Sequence, residues 1–223
     1  MHKIVLLRHG ESVWNRDNIF AGWVDVALSD RGVTQAKEAG RVLQENGFVF
    51  DLAFTSVLQR ATCTLEIVLK EMGLSDVVIV EGSWCLNERH YGTLQGVNKK
   101  EAVKKFGADQ VQKIRRGYNE CPPEGESLAN VVGRVAPYWE EKIIPAVLQG
   151  KKVLIVAHGN SLRALVKLID QLSDEAVEGL NIPTGIPLVY EFSDGLQPLK
   201  HYYLADDIEV AEAIKAVEAE TKI

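Results

Sequence analysis

Two short stretches carry residues suited to nucleophilic or acid–base chemistry: "LLRHGESVWN" at 6–15 and "AHGNSLRALV" at 157–166. Each places a His-Gly pair at the end of a continuous apolar run: Arg8-His9-Gly10 follows "KIVLL", and His158-Gly159 follows "KKVLIVA". Short β-branched runs without alternation are what a strand covered on both faces requires. In open α/β sheets, ligands bind in the crevice outside the carboxyl ends of the strands. Arg8, His9 and His158 are therefore expected to face one crevice if the two strands are neighbours.

The cations around these histidines suggest an anionic ligand. Arg60 opens a helical segment, and "LNERHYGTLQGVNKKEAVKKFG" and "KIRRGY" add a dense set including Lys99, Arg115 and Arg116. The arginine fork pairs phosphate or carboxylate oxygens bidentately, and helix starts near residues 57 and 161 offer backbone N–H groups to an anion. Lys100, Lys104 and Lys105 are expected on an exposed helix face, and at most one of the Arg115-Arg116 doublet is expected to point inward. No glycine-rich nucleotide loop is present. Two histidines with nearby acids are capable of binding a metal in principle, but guanidinium groups beside His9 repel a divalent cation. What remains is histidine as nucleophile: neutral imidazole attacks phosphorus and holds the phosphoryl group covalently. Neighbouring arginines keep the imidazole unprotonated and stabilise the oxygens in transfer. The leaving alkoxide needs a proton, and a carboxyl group beside a phosphate has a raised pKa suited to carrying it. Glu88 is the first candidate and Glu11 the second.

These residues need a scaffold, and the 223-residue chain has the composition for one, at 46% hydrophobic and 25% charged. A net charge of −6 speaks against a general nucleic-acid binder. No apolar run approaches the roughly 20 residues of a membrane span, and a first strand entered by Ile4 leaves no room for a signal peptide. Three widely spaced cysteines, Cys63, Cys85 and Cys121, fit a reduced cytoplasmic protein. The patterning predicts helices over about 31–46, capped by Ser29 and stopped by Gly47, and over about 57–72, opened by a Ser56/Gln59 capping box. Further strands are expected at 51–56, 76–82 and 151–157, a helix from 159 to about 172, and a hairpin around Asp194-Gly195. The fold class is α/β, a three-layer sandwich with a mainly parallel sheet and helices on both faces. A single domain spans 1–223, with a helical insertion around 84–125 and a mobile, weakly helical tail from about 206.

The two His-Gly stretches resemble the histidine phosphatase superfamily. "AGWVDVALSDRG", "LNERHYGTLQGVNK", "KIRRGY" followed by Pro122-Pro123, and "NIPTGIPLVYEF" are similar to its bisphosphoglycerate-dependent phosphoglycerate mutase branch, over about Lys3 to Leu204. The resemblance implies a phosphoglycerate mutase-like fold and His9 as the phosphorylated nucleophile. It implies that His158 stabilises the phosphoryl oxygens, with Arg8, Asn15, Arg60 and the Gly159 backbone completing the pocket and Asn160 close by. Glu88 would donate and accept the proton. Tyr91, Lys99, Arg115 and Arg116 would hold the carboxylate and second phosphate, and Gly22 with its neighbour Ala21 would contact substrate. The implied reaction, in glycolysis and gluconeogenesis, interconverts 3- and 2-phosphoglycerate through a bound 2,3-bisphosphoglycerate, which also primes His9, with no metal. The implied partners are small phosphoglycerates, not nucleic acid or membrane, and the protein would be a monomer or homodimer. A phosphatase would share the first half-reaction, with water as acceptor, but would have little use for the carboxylate clamp. Two departures stand out. Ala21 replaces a hydroxyl residue, and some two dozen residues of the longer family members are missing after Pro123.

Overall fold

The computed structural model describes residues 1–219. Six strands, β1 (His2–Arg8), β2 (Leu52–Thr55), β3 (Ile79–Gly82), β4 (Val153–Ala157), β5 (Leu188–Phe192) and β6 (Pro198–Tyr203), form one sheet in the order β3-β2-β4-β1-β5-β6. The first four pair in parallel, and the β5–β6 hairpin adds two antiparallel pairings at one edge. The helices are α1 (Val13–Arg16), α2 (Asp30–Glu45), α3 (Gln59–Glu71), α4 (Lys99–Phe106), α5 (Ala108–Arg116), α6 (Leu128–Tyr138), α7 (Ile144–Leu148), α8 (Gly159–Asp170), α9 (Asp174–Gly179) and α10 (Asp207–Ala219). Among the described residues no helix is long and apolar enough to cross a membrane.

The absence of alternation in "KIVLL" has a direct structural cause. Ile4 and Leu6 pack into a core with Leu128, Val131, Leu162 and Leu165 of α6 and α8. Val5 and Leu7 point the other way, against Ala39, Leu43, Leu65 and Val68 of α2 and α3. Both pleat faces are buried, so every position must be apolar. The result is the expected three-layer sandwich.

Helix α2 starts where the sequence placed it: Ser29 Oγ accepts the Gly32 N–H at 3.1 Å, and Gly47 takes the left-handed conformation just past its end. The Ser56/Gln59 capping box does not form. Helix α3 begins at Gln59 with Leu58 as its N-cap and no side-chain cap; Ser56 Oγ faces His158 and accepts the Leu58 N–H, while Asp25 takes the Gln59 N–H. The third strand is shorter than expected, Ile79–Gly82. The segment 84–125 contributes two single 3-10 turns, α4 and α5, around a small core of Phe20, Leu94, Ala102, Val111 and Ile114. In the segment expected as a mobile tail, α10 is capped by Asp206, whose Oδ1 accepts the Glu209 N–H at 2.8 Å, and Val217 is buried. The rest of that expectation, residues 220–223, lies outside the described residues.

The loop after β1 is fixed by backbone packed on backbone. A Cβ on Gly10 would stand 2.3 Å from Gly32 O, and one on Gly32 would stand 2.0 Å from Glu11 O. Neither contact can relax by turning a side chain. Gly32→Ala should therefore destabilise the protein by about 1–3 kcal/mol or more, the range for overpacking, as read by urea unfolding. An unchanged midpoint would mean that the loop and α2 are not in contact.

Candidate active site

The sheet register brings the two histidines together. Arg8 pairs with Ala157 across β1 and β4, and the His9 N–H continues the ladder to Ala157 O at 3.0 Å. The next residues on both strands are thus side by side, and the two imidazoles meet edge to face with centroids 4.9 Å apart. His9 Nδ1 lies 2.7 Å from Gly10 O. A carbonyl only accepts, so Nδ1 carries the proton and Nε2 keeps its lone pair. His158 Nε2 is paired with Ser56 Oγ at 2.7 Å, from the end of β2. Burial, then Arg60 and Arg8, hold His9 well below the ordinary histidine value. Burial and Arg60 do the same for His158, helped by His9, Arg8 and Arg134.

One cleft at the carboxyl end of the sheet is lined by Arg8, His9, Asn15, Ala21, Gly22, Arg60, Glu88, Tyr91, Lys99, Arg115, Arg116, Gly159 and Asn160. With His158 packed on His9, every site residue that the resemblance implies is gathered there, and Glu11 is not. Lys99 is buried, and Lys100, Lys104 and Lys105 are exposed as expected. The expectation that at most one of Arg115 and Arg116 points inward is corrected. The doublet ends α5, where both can reach the cleft, and Arg116 is braced by the carbonyls of Glu178 and Leu180. Glu11 is no candidate acid: its carboxylate accepts from Ser29 Oγ and pairs with Arg31, outside the cleft lining.

The arginines are held by loop carbonyls: Arg8 Nη1 donates to Ile182 O, and Arg60 donates to Gly22 O and Val24 O. Burial lowers Arg60 to about 10, which leaves it cationic at neutral pH. Arg8 Nε and two nitrogens of the fully buried Arg89 have no hydrogen-bond partner. Arg8 also lies against Gly159, 3.6 Å from where a Cβ would stand. Asn15 Oδ1 is taken by Ser12, leaving its amide nitrogen as the donor end.

Glu88 is held by both of its carboxyl-side and carbonyl-side neighbours. Its carbonyl accepts from Trp23 Nε1 and Arg134 Nη2. Its Oε1 accepts from the Arg89 N–H at 2.7 Å, the Asn160 N–H at 3.1 Å and Asn160 Nδ2 at 2.7 Å, while Oε2 faces Gly159. Burial pushes this carboxyl up, but the Arg89 and Asn160 donors with Arg60 and Arg8 outweigh it and leave it below the usual range. The sequence expectation of a raised value concerned a carboxyl beside phosphate; the protein groups alone act the other way. Burial likewise pushes Tyr91 up, and Arg89, hydrogen-bonded to its hydroxyl and lying over its ring, brings it below its ordinary value.

The sequence reading missed Arg163, Asn181, Ile182 and Val217, which also line the cleft. Arg163 had a signal, since it follows Asn160 at i+3 and so shares its helix face. Val217 had none, because α10 reaches the cleft only through the tertiary fold. Among the described residues no cluster of His, Cys, Asp and Glu side chains is arranged to hold a metal ion.

Protonation of the paired imidazoles links the site to stability. Unfolded, each histidine titrates near 6.5; folded, each resists protonation. Below that pH the unfolded state binds more protons, so the histidines' stabilising effect is full above 6.5 and is lost as pH falls. The slope reaches about 1.4 kcal/mol per pH unit for each histidine. The lowered Glu88 adds a loss only below 4.5. Urea unfolding at pH 7.5, 6.0 and 5.0 should show this decline, and a flat profile would mean that the imidazoles are not buried as neutral rings.

Comparison with known proteins agrees with this geometry. Residues 4–204 match the model of the histidine phosphatase superfamily (branch 1). A 2,3-bisphosphoglycerate-dependent phosphoglycerate mutase of Borreliella afzelii (strain PKo) is 48% identical over 248 positions, covering all of both chains. Those positions exceed the 223 residues of this chain by 25, so 25 of them have no counterpart here. A protein of the same name from Hamiltonella defensa subsp. Acyrthosiphon pisum (strain 5AT) is 48% identical over 99% of this chain and 98% of its own. Among solved structures, a mycobacterial glucosyl-3-phosphoglycerate phosphatase superposes with a TM-score of 0.76 at 25% identity, covering 91% of this chain and 97% of its own. The chain therefore belongs to the histidine phosphatase superfamily and, within it, to the family of the 2,3-bisphosphoglycerate-dependent phosphoglycerate mutases.

Proposed function

We propose that the protein interconverts 3-phosphoglycerate and 2-phosphoglycerate through a phosphohistidine on His9 and a bound 2,3-bisphosphoglycerate, His9 giving its phosphoryl group to one hydroxyl and taking one back from the other. The observation that carries this reading is that one cleft holds both a nucleophile and a separate acceptor clamp. His9, His158, Arg8 and Arg60 form one end, and Tyr91, Lys99, Arg115 and Arg116 line the rest. A group that only had to be hydrolysed would not need the second set.

His9 Nε2, unprotonated and backed by the Nδ1–H to Gly10 O, attacks phosphorus as the ester P–O bond breaks. Glu88 gives the departing oxygen its proton through Oε2. In the return step, Glu88 takes the proton of the acceptor hydroxyl as that oxygen attacks phosphorus and the P–N bond to His9 breaks. Arg8, Arg60, His158 and the start of α8 at Gly159 hold the charge of the transferring group. Asn15 and the backbone at Ala21 and Gly22 position the substrate.

The site fits a bisphosphorylated cofactor: Arg8, Arg60, Arg115 and Arg116 line one cleft, and Arg8 Nε is a buried cationic donor without a protein acceptor. 2,3-Bisphosphoglycerate would supply the phosphoryl group that primes His9, with Arg8, Arg60, Arg115 and Arg116 as its anchors. Three free cysteines support a reducing, cytoplasmic setting.

The test is formation of 2-phosphoglycerate from 3-phosphoglycerate in chelator, with and without trace 2,3-bisphosphoglycerate, reading free phosphate in the same tube. Isomerisation stimulated by the bisphosphate, with little phosphate released, is expected. Phosphate release without isomerisation would make the protein a phosphatase. His9→Ala should abolish both the isomerisation and acid-labile labelling. Glu88→Gln should lower kcat about 100-fold or more, the usual scale for a lost proton-transfer group, with ligand affinity nearly unchanged.

A further inference from the structure

Arg163 is almost fully buried in α8. Its Nη1 donates to Asn160 Oδ1 at 2.9 Å, and Nε and Nη2 donate to Val177 O at 3.1 and 2.6 Å, near the end of α9. Nη2 also lies within reach of Glu178 O and Arg116 O. All three nitrogens are engaged by protein oxygens, so this arginine is not poised to grip a ligand. Its effect passes through Asn160.

The chemistry of that chain of contacts allows only one polarity. Arginine can only donate and a carboxylate only accept. The Asn160 amide between them must therefore turn Oδ1 to Arg163 and Nδ2 to Glu88. Released from Arg163, the amide can flip and set its oxygen against the Glu88 carboxylate. We propose that Arg163 is a positioning residue for proton transfer: acting through Asn160, it pins Oε1 of Glu88 and so keeps Oε2 as the oxygen that exchanges the proton. Its bonds to Val177 O also tie that carboxylate to the loop carrying Leu180, Asn181 and Ile182, which forms another wall of the same cleft.

This inference rests on Glu88 being the proton carrier, so the experiment includes Glu88→Gln as a reference. The charged or titratable groups facing Glu88 are Arg8 from β1, Arg60 from α3, Arg89 and Tyr91 from its own loop, and Arg163 from α8. Only the last is altered. The pH dependence of kcat and kcat/KM is measured for wild type, Arg163→Lys, Arg163→Gln, Asn160→Ala, the Arg163→Lys/Asn160→Ala double variant and Glu88→Gln, with thermal melts to verify folding. Lysine keeps the charge but cannot bridge Asn160 and Val177 O; glutamine keeps a neutral donor should lysine fail to fold.

The expected result is a roughly tenfold or greater fall in kcat with KM changed much less. The pH limb that Glu88→Gln abolishes should move upward by about half a unit to one unit, as loss of a donor to a carboxylate requires. Asn160→Ala should give the same shift, and the double variant no more than either single one. An unmoved limb, or shifts that add, would overturn the role of Arg163 while leaving Glu88 in place. A limb that survives Glu88→Gln would overturn the role of Glu88 and this inference with it.

Discussion

Buried positive charge is the constraint around which the site is organised. Arg60, Arg89 and Arg163 are at most 3% exposed, and Arg8 and Arg115 are also buried, in a chain whose net charge is −6. A buried guanidinium is costly to the extent that its donors go unmet. Here the acceptors are mostly main-chain carbonyls: Gly22 and Val24 for Arg60, Ile182 for Arg8, Arg115 O for Arg89, and Glu178 and Leu180 for Arg116. Carbonyls supply partial charge without cancelling the cation. Each arginine therefore fixes a loop and remains available, electrostatically, to an anion.

The same cations set the protonation states. They act with burial to keep both imidazoles neutral, which a nucleophile for phosphorus needs. On Glu88 they act against burial, adding to the larger effect of the Arg89 N–H and Asn160 donors, and the carboxyl stays ionised. A bound phosphate neutralises that field and reverses its sense at the carboxylate, so the acid would be loaded by the presence of the substrate itself. The same field thus drives the proton off both the imidazoles and the carboxyl, and it is burial that divides them, acting with the field on the histidines and against it on Glu88.

Much of this was legible in the sequence because strand ends are legible. Unbroken apolar runs ending in His-Gly place the histidines at the sheet's carboxyl edge, and parallel pairing of β1 with β4 does the rest. The resemblance added the cleft-lining residues of the 84–125 segment, which local pattern alone could not orient. What failed was local inference where tertiary contacts compete. Ser56 has the spacing of a helix cap, yet its hydroxyl is drawn to His158. Arg115 and Arg116 are adjacent on a helix and should diverge, but the helix ends there and the carbonyls of α9 and its following loop collect Arg116. Asn181 and Ile182 open the "NIPTGIPLVYEF" stretch that carried the resemblance, but nothing local says that they turn into the cleft, and Val217 reaches it from a remote helix with no mark at all.

The pairing of Arg8 with Ala157 has one further consequence. A slip of one residue between β1 and β4 would exchange the apolar sets on the two faces and also draw His9 about 3.3 Å out of step with His158. A collapsed chain with native-like helix content but the wrong strand register would therefore look folded by far-ultraviolet circular dichroism and be inert. In refolding work on this protein, recovered turnover reports the register of the central sheet, which spectroscopic signals of compaction do not see.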